Sequence, residues 1–183
     1  LGWIMNADIL TETYPEYEGQ VEHIESVPAV DADTVPAIEH LPRQIAEGID
    51  HSLYTHQAAA FDHLDAGEDI CVSTSTSSGK TLIYALDIAR KTLENPTAKA
   101  LLVYPTKALS GDQQAELQTL YDNLDVSITV GKYDGDATSE EKRQIREEAD
   151  VVITNFAGLN QYLSHHHLWS NIFSDLELIA IDE

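Results

Sequence analysis

Cysteine is nearly absent from this chain of 183 residues, which contains only Cys71. One cysteine cannot form a disulfide within the chain, so a disulfide-stapled extracellular domain is excluded and a reducing compartment is favoured. Cys71 lies within a short apolar segment, and this position predicts a small buried core residue.

Long hydrophobic runs are also absent. No apolar stretch approaches the roughly 18 residues that a membrane span requires, and residues 1–10 lack the basic start of a signal peptide. The sequence therefore predicts a cytoplasmic protein with no membrane partner. Because the chain begins with Leu1 instead of Met and stops at Glu183 directly after an apolar segment, we expect it to be part of a longer protein.

Basic residues are scarce: 10 Lys and Arg stand against 32 Asp and Glu, giving a formal net charge of -22. In dilute buffer such a surface repels nucleic acid. The alternative is adaptation to a very salty cytoplasm, where the Debye length falls to about 3 Å at 1 M salt and surface carboxylates keep a protein hydrated. We favour the second explanation, which predicts a halophilic source and leaves nucleic-acid binding open.

A run of small and hydroxyl side chains follows the apolar segment Ile70–Ser73 and precedes an apolar helical pattern. This order of strand, Ser/Thr-rich loop and helix predicts a P-loop, whose backbone N–H groups wrap a polyphosphate at a helix N-terminus. Lys80 is expected to contact the β- and γ-phosphates, and the Thr81 hydroxyl to bind Mg²⁺. The alternative is a Ser/Thr-rich loop that merely contains Gly-Lys-Thr. The predicted ATP-binding residues of this loop are Thr74, Ser75, Thr76, Ser77, Ser78, Gly79, Lys80 and Thr81.

Gln57 stands at the start of a predicted helix that leads toward the P-loop. A glutamine amide can pair with N6 and N7 of adenine, so Gln57 is a candidate for recognising the base of ATP. The alternative is an ordinary surface residue at the start of a helix.

Strand and helix patterns alternate along the chain, which is long enough for one α/β domain but not for two. The pattern predicts a parallel sheet with helices on both faces, the arrangement of a βαβ fold. Residues 1–37 carry many carboxylates, three prolines and no sustained period, and we expect an acidic N-terminal arm before a domain at 38–183. The predicted strands are Ile70–Ser73, Ala100–Tyr104, Val126–Val130, Val151–Thr154 and Leu176–Ile181.

Polar residues follow four of these strands, where the ligand crevice of a parallel sheet lies. The chain there resembles the first RecA-like motor domain of a superfamily 2 helicase, in which motif I often lacks its first glycine. The matching residues are Gln57 (Q motif), Ser73–Thr81 (motif I), Tyr104–Leu109 (motif Ia), Thr154–Asn155 (motif Ib) and Asp182–Glu183 (the opening of motif II).

A narrower resemblance rests on the strings Leu53–Gln57 and Tyr133–Asp136 and on the His-rich stretch before Trp169. These are similar to the MrfA (YprA) type of DEAD/DEAH-box DNA helicase. The resemblance implies ATP-driven 3′ to 5′ movement on single-stranded DNA, a role in DNA repair, and a zinc-binding region outside this chain.

The resemblance also implies roles at the site. Lys80, Asp182 and Glu183 would be catalytic: Asp182 would hold Mg²⁺ through water, together with Thr81, and Glu183 would position or activate the attacking water. Two adjacent carboxylates at a strand end beside a P-loop suit this chemistry. The alternative is an acidic strand end in a very acidic protein.

Five residues at the ends of the strands Ala100–Tyr104 and Val151–Thr154 would contact the DNA backbone. Their groups suit binding that does not depend on the base sequence. Strand-end turns are the alternative for each. The candidates are Pro105, Thr106, Lys107, Thr154 and Asn155.

The resemblance reaches only the opening of motif II, at Glu183. We therefore expect the longer protein to carry motif III and a second RecA-like domain, which would provide an arginine finger. We therefore expect this chain alone to bind nucleotide weakly and to hydrolyse little. An RNA helicase or another superfamily 2 translocase is an alternative reading, and so is a non-enzymatic acidic protein-binding module with a vestigial P-loop.

Overall fold

The structure is a computed structural model that describes residues 32–49, 51–75, 78–105, 107–133 and 137–182. The chain divides after Ala32 into two units, and the second, Asp33–Glu183, is the one described below. The predicted acidic arm falls largely outside the described residues, so its boundary at residue 37 stays a prediction.

The described residues form six strands and seven α-helices, with 3₁₀ turns at Ala37–Glu39 and His166–Trp169. None of the described helices combines the length and the apolar character needed to cross a membrane. In chain order the elements are β1 (Thr34–Val35), α1 (Arg43–Gly48), β2 (Leu53–Tyr54), α2 (Thr55–Asp65), α3 (Lys80–Glu94), β3 (Lys99–Tyr104), α4 (Lys107–Asn123), β4 (Val130–Lys132), α5 (Ser139–Glu148), β5 (Val151–Asn155), α6 (Phe156–Ser164), α7 (Ser170–Ser174) and β6 (Leu176–Ile181).

Four strands form one parallel sheet in the order β4-β5-β3-β6, while β1 and β2 make a separate antiparallel pair. Strand β3 pairs on one side with β5, ending with Tyr104 opposite Asn155, and on the other side with β6, ending with Val103 opposite Ile181. The carboxyl ends of the three strands therefore lie at one edge of the sheet. The predicted α/β fold with a parallel sheet is confirmed.

Side chains of β3 alternate between the two faces of the sheet. Ala100, Leu102 and Tyr104 belong to one apolar cluster, which includes residues of α3 and α4. Leu101 and Val103 belong to a second cluster, which includes residues of α7 and the 3₁₀ turn before it. Both faces of the strand are covered, as near-continuous apolar strands require, and the prediction of helices on both faces is confirmed.

The predicted strand Ile70–Ser73 is wrong, since no described strand pairs with it and the chain is irregular there. Ile70 and Val72 are half-buried against the core, whereas Cys71 between them is exposed. The prediction that Cys71 is buried is therefore also wrong. Alternation of apolar residues specifies which side chains face the core, but it does not supply a partner strand.

Pro42 separates the 3₁₀ turn at Ala37–Glu39 from α1, because proline cannot continue a helix. One predicted boundary also changes: of the predicted strand Val126–Val130, only Val130 joins the sheet.

A capping box lies at the start of α5. Thr138 N and Thr138 Oγ1 each donate to Glu141 Oε2, both at 2.7 Å, and Glu141 N donates to Thr138 Oγ1 at 3.2 Å. These bonds satisfy backbone donors that the helix itself leaves free.

A buried ionic cluster joins α2 to α3. The Arg90 guanidinium donates to Asp87 Oδ1 through Nε (3.1 Å) and Nη2 (2.5 Å), and through Nη1 it contacts Asp65 at the end of α2. Asp87 is fully buried, and its Oδ2 has no hydrogen-bond partner among the described residues. Burial raises the pKa of the Asp87 carboxyl to about 6.

Replacing Arg90 by leucine is expected to reduce the free energy of unfolding by about 3–5 kcal/mol, because it leaves the buried Asp87 without its cation. The control is Arg43→Leu, which breaks an exposed pair with Glu47 and is expected to cost less than about 1 kcal/mol. Denaturant unfolding of both variants in high salt measures the difference. Equal losses would contradict the assigned role of Arg90.

Candidate nucleotide site

The predicted P-loop leads into α3 through a glycine that has a left-handed backbone. Gly79 has φ 74° and ψ 30°, and Lys80 is the first residue of the 15-residue helix. Residues with a Cβ rarely adopt such a φ, so glycine is the residue type that fits this turn. Ile83 and Leu86 hold the helix against the core, and its N-terminus therefore has a fixed position.

The loop before Gly79 is closed by its own polar groups. The hydroxyls of Thr74 and Ser78 lie 2.5 Å apart. The Lys80 ammonium donates to Thr74 O (3.3 Å) and Ser75 O (3.0 Å). Lys80 thus lies over the loop in which the sequence predicts phosphate binding. Thr76 and Ser77 lie outside the described residues.

Gln57 is 2% exposed and ties the start of α2 to the P-loop. Its Oε1 accepts from Tyr54 N, and its Nε2 donates to Gly79 O, both at 2.9 Å. The neighbouring His56 Nε2 lies 3.0 Å from Ser78 O. This burial excludes the alternative that Gln57 is an ordinary surface residue. The contact of Gln57 with adenine stays a prediction, because both ends of its amide already bind the backbone.

Asp182 is brought to the P-loop helix, as the motifs predict. Asp182 N donates to Val103 O at 3.0 Å, which continues the β6 pairing beyond the strand. The Tyr84 hydroxyl, one turn after Thr81, donates to Asp182 Oδ2 at 3.4 Å. Burial raises the pKa of Tyr84, while a hydrogen bond with Thr81 opposes that rise.

Thr81, one turn before Tyr84 on α3, and Asp182, which accepts from the Tyr84 hydroxyl, therefore lie in the same part of the site. Their hydroxyl and carboxylate oxygens are the donors that Mg²⁺ prefers, and the pair fits the predicted metal site. Glu183 lies outside the described residues, so its catalytic role stays a prediction. No group of three or more His, Cys, Asp or Glu with the spacing of a metal site occurs in the described part of the chain.

The structure describes four of the five residues that are predicted to bind nucleic acid. Pro105 is exposed after β3, Lys107 begins α4, and Thr106 lies outside the described residues. Thr154 is 2% exposed, and Asn155 Oδ1 accepts from Gly158 N at 2.9 Å near the start of α6. These last two residues have local structural partners, and the contact of all five with nucleic acid stays a prediction.

Sequence reasoning did not identify Tyr84 as a site residue, and it assigned Tyr104 to motif Ia without placing it beside the predicted metal site. The Tyr84 and Tyr104 hydroxyls lie 2.7 Å apart. The one available signal was the spacing of Tyr84, three residues after Thr81, which places both on one face of a helix. In sequence, both tyrosines look like ordinary core aromatics.

Together these features define a class: a RecA-like α/β domain with a Gly-Lys-Thr loop at a helix N-terminus and an aspartate at the end of a parallel strand. The chain belongs to the DEAD/DEAH box helicase family, whose model matches residues 54–183.

Named relatives support the narrower resemblance. The ATP-dependent helicase YprA of Bacillus subtilis is 36% identical over 98% of this chain, and the ATP-dependent helicase HRQ1 of Saccharomyces cerevisiae is 33% identical over 91%. The crystal structure of the helicase MrfA bound to DNA and AMPPNP is 36% identical, with a TM-score of 0.79 over 84% of this chain. The resemblance to the MrfA (YprA) type is confirmed.

The chain spans only part of these relatives. It covers 25% of YprA, 16% of HRQ1 and 22% of the MrfA chain.

The turn at Gly79 can be tested by replacement with alanine. A Cβ there would lie 2.6 Å from Gln57 Nε2, in addition to the strain of φ 74°. We expect the loop to shift and the affinity for an ATP analogue to fall about tenfold or more, which corresponds to about 1.4 kcal/mol. Titration of a fluorescent analogue measures the change.

The control for this test is Gly67→Ala. Gly67 has a similar φ of 76°, but no atom lies within 4 Å of its added Cβ. It is expected to lose about 1–2 kcal/mol of stability and no analogue affinity. An unchanged affinity in Gly79→Ala would argue against the contact between Gln57 and the loop as a determinant of the site.

Proposed function

We propose that this chain is the ATP-binding motor domain of an ATP-dependent DNA helicase that moves 3′ to 5′ on single-stranded DNA and acts in DNA repair. The supporting observation is the hydrogen bond from Tyr84, on the P-loop helix, to Asp182 at the end of β6. Strands β3 and β5 end at the same edge of the sheet. One edge can thus hold a nucleotide and be reached by a nucleic-acid strand.

Each residue of the site has a role in hydrolysis. Lys80 offsets the charge of the β- and γ-phosphates, while the N-terminus of α3 presents backbone N–H groups to them. Thr81 and Asp182 would hold Mg²⁺, Asp182 through water, and Glu183 would orient the attacking water. Bound Mg²⁺ supplies neutralisation of the charge that develops on the phosphates. Gln57 holds the loop and, through its remaining N–H, recognises adenine.

DNA is the proposed polymer because MrfA, which this chain resembles over 84% of its length, has a crystal structure bound to DNA. Pro105, Thr106, Lys107, Thr154 and Asn155 are proposed to line its path. RNA is the second candidate, since these motifs are shared among superfamily 2 helicases. Stimulation of ATP hydrolysis by single-stranded DNA or by RNA, measured on the whole protein, separates the two.

The whole protein is proposed to add a second RecA-like domain in cis. Phosphoryl transfer draws much of its rate from an arginine finger, which that domain would supply. The isolated chain is therefore expected to bind ATP and hydrolyse little. A non-enzymatic module would instead show partner binding and no stimulated hydrolysis by the whole protein at any salt concentration.

The net charge of -22 supports a halophilic source, and the single cysteine is compatible with the proposed cytoplasmic location. In molar KCl the carboxylates are screened over a few ångströms, so a phosphate polymer can approach. Binding assays in high salt are therefore the proper condition for this chain.

The nucleotide site is tested by binding of a fluorescent ATP analogue with Mg²⁺ in about 2 M KCl, where long-range charge is screened. Lys80→Ala is expected to lower the affinity at least about tenfold, because the phosphates lose their direct cation. Lys91→Ala, in the last turn of the same helix, is the control and is expected to bind as the parent does. Equal binding by all three proteins would reject the P-loop assignment.

A further inference from the structure

Two tyrosine hydroxyls connect the predicted metal site to α4. The Tyr84 hydroxyl lies 3.4 Å from Asp182 Oδ2 and 2.7 Å from the Tyr104 hydroxyl. The Tyr104 hydroxyl in turn lies 3.5 Å from Gln113 Oε1 on α4. The hydroxyl chain thus runs from the end of β6 to the helix that follows the predicted nucleic-acid residues of β3.

Each hydroxyl has one proton to donate, so only two arrangements keep the bond between Tyr84 and Tyr104. In the first, Tyr104 donates to Tyr84, and Tyr84 donates to Asp182. In the second, Tyr84 donates to Tyr104, and Tyr104 donates to Gln113. The Asp182 carboxylate receives a hydrogen bond from Tyr84 only in the first arrangement.

The surroundings favour hydroxyls that stay neutral. Burial raises the pKa of both tyrosines. Asp182 is half-buried, and its backbone N–H is fixed by Val103 O. A hydrogen bond from Tyr84 to one carboxylate oxygen therefore determines which way the other oxygen points.

We propose that Tyr84 is a positioning residue of the Mg²⁺–nucleotide site, whose hydroxyl orients the Asp182 carboxylate, and that Tyr104 competes for that hydroxyl. This inference rests on the proposed function. Loss of such a partner from a direct metal ligand typically costs about 10–100-fold in metal affinity, and for Asp182, which acts through water, we expect the lower end of that range.

The competition places Tyr104 between two sites. Tyr104 is the last residue of β3 and directly precedes Pro105. A shift of the chain at Pro105 that draws the Tyr104 hydroxyl toward Gln113 breaks its bond to Tyr84 and leaves Tyr84 free to donate to Asp182.

The test is a Mg²⁺ titration of fluorescent ATP-analogue binding to the chain in about 2 M KCl. Tyr84→Phe is expected to raise the Mg²⁺ midpoint about tenfold while analogue binding without Mg²⁺ is unchanged. Tyr104→Phe is expected to leave the midpoint equal to or below that of the parent, because Tyr84 then has Asp182 as its acceptor.

The matched control is Tyr121→Phe. The Tyr121 hydroxyl is buried and has no hydrogen-bond partner among the described residues, so its removal changes no bond and should leave the Mg²⁺ midpoint at the parent value. Denaturant unfolding of each variant confirms that the fold is retained.

Two results would overturn this inference and leave the proposed function intact. The first is a Mg²⁺ midpoint in Tyr84→Phe equal to that of the parent. The second is an equal rise of the Mg²⁺ midpoint in Tyr84→Phe and Tyr104→Phe, which would show that the bond between the two tyrosines is only structural. A folded parent chain without Lys80-dependent analogue binding would overturn the proposed function, and the inference with it.

Discussion

Parallel pairing of β3 with strands on both of its sides is the constraint on which the site depends. Because β3 is buried on both faces and bonded at both edges, its register cannot slip without moving a whole set of core side chains to the wrong face. That register aligns Tyr104, Asn155 and Ile181 at one edge of the sheet. The polar residues that follow these strands are close in space for this reason.

The nucleotide loop is held by a second set of contacts, which join α2 to α3. Gln57 binds the carbonyl of Gly79 at the start of α3, and Arg90 binds Asp65 and Asp87 near its other end. The two helices are therefore fixed to each other at both ends. A loop that is held in this way keeps Lys80 in place before any ligand arrives, which reduces the ordering cost of binding.

The sequence predicted the residues that share an edge, but not the partners of each side chain. Lys80 at a helix start and Asp182 at a strand end follow from motif spacing and from the geometry of parallel sheets. The bonds of Gln57 to Gly79 and of Tyr84 to Asp182 join residues 22 and 98 positions apart, and no local period records them. Ile70–Ser73 shows the same limit, since a short apolar segment predicts neither its partner strand nor the exposure of Cys71.

The two carbonyls that Lys80 contacts, Thr74 O and Ser75 O, give nucleotide binding the character of an exchange reaction. Phosphate oxygens do not meet a bare ammonium; they replace main-chain oxygens that already surround it. The affinity contributed by Lys80 is thus a difference between two sets of charge-assisted bonds. A small measured heat of binding would be compatible with a strong electrostatic contact.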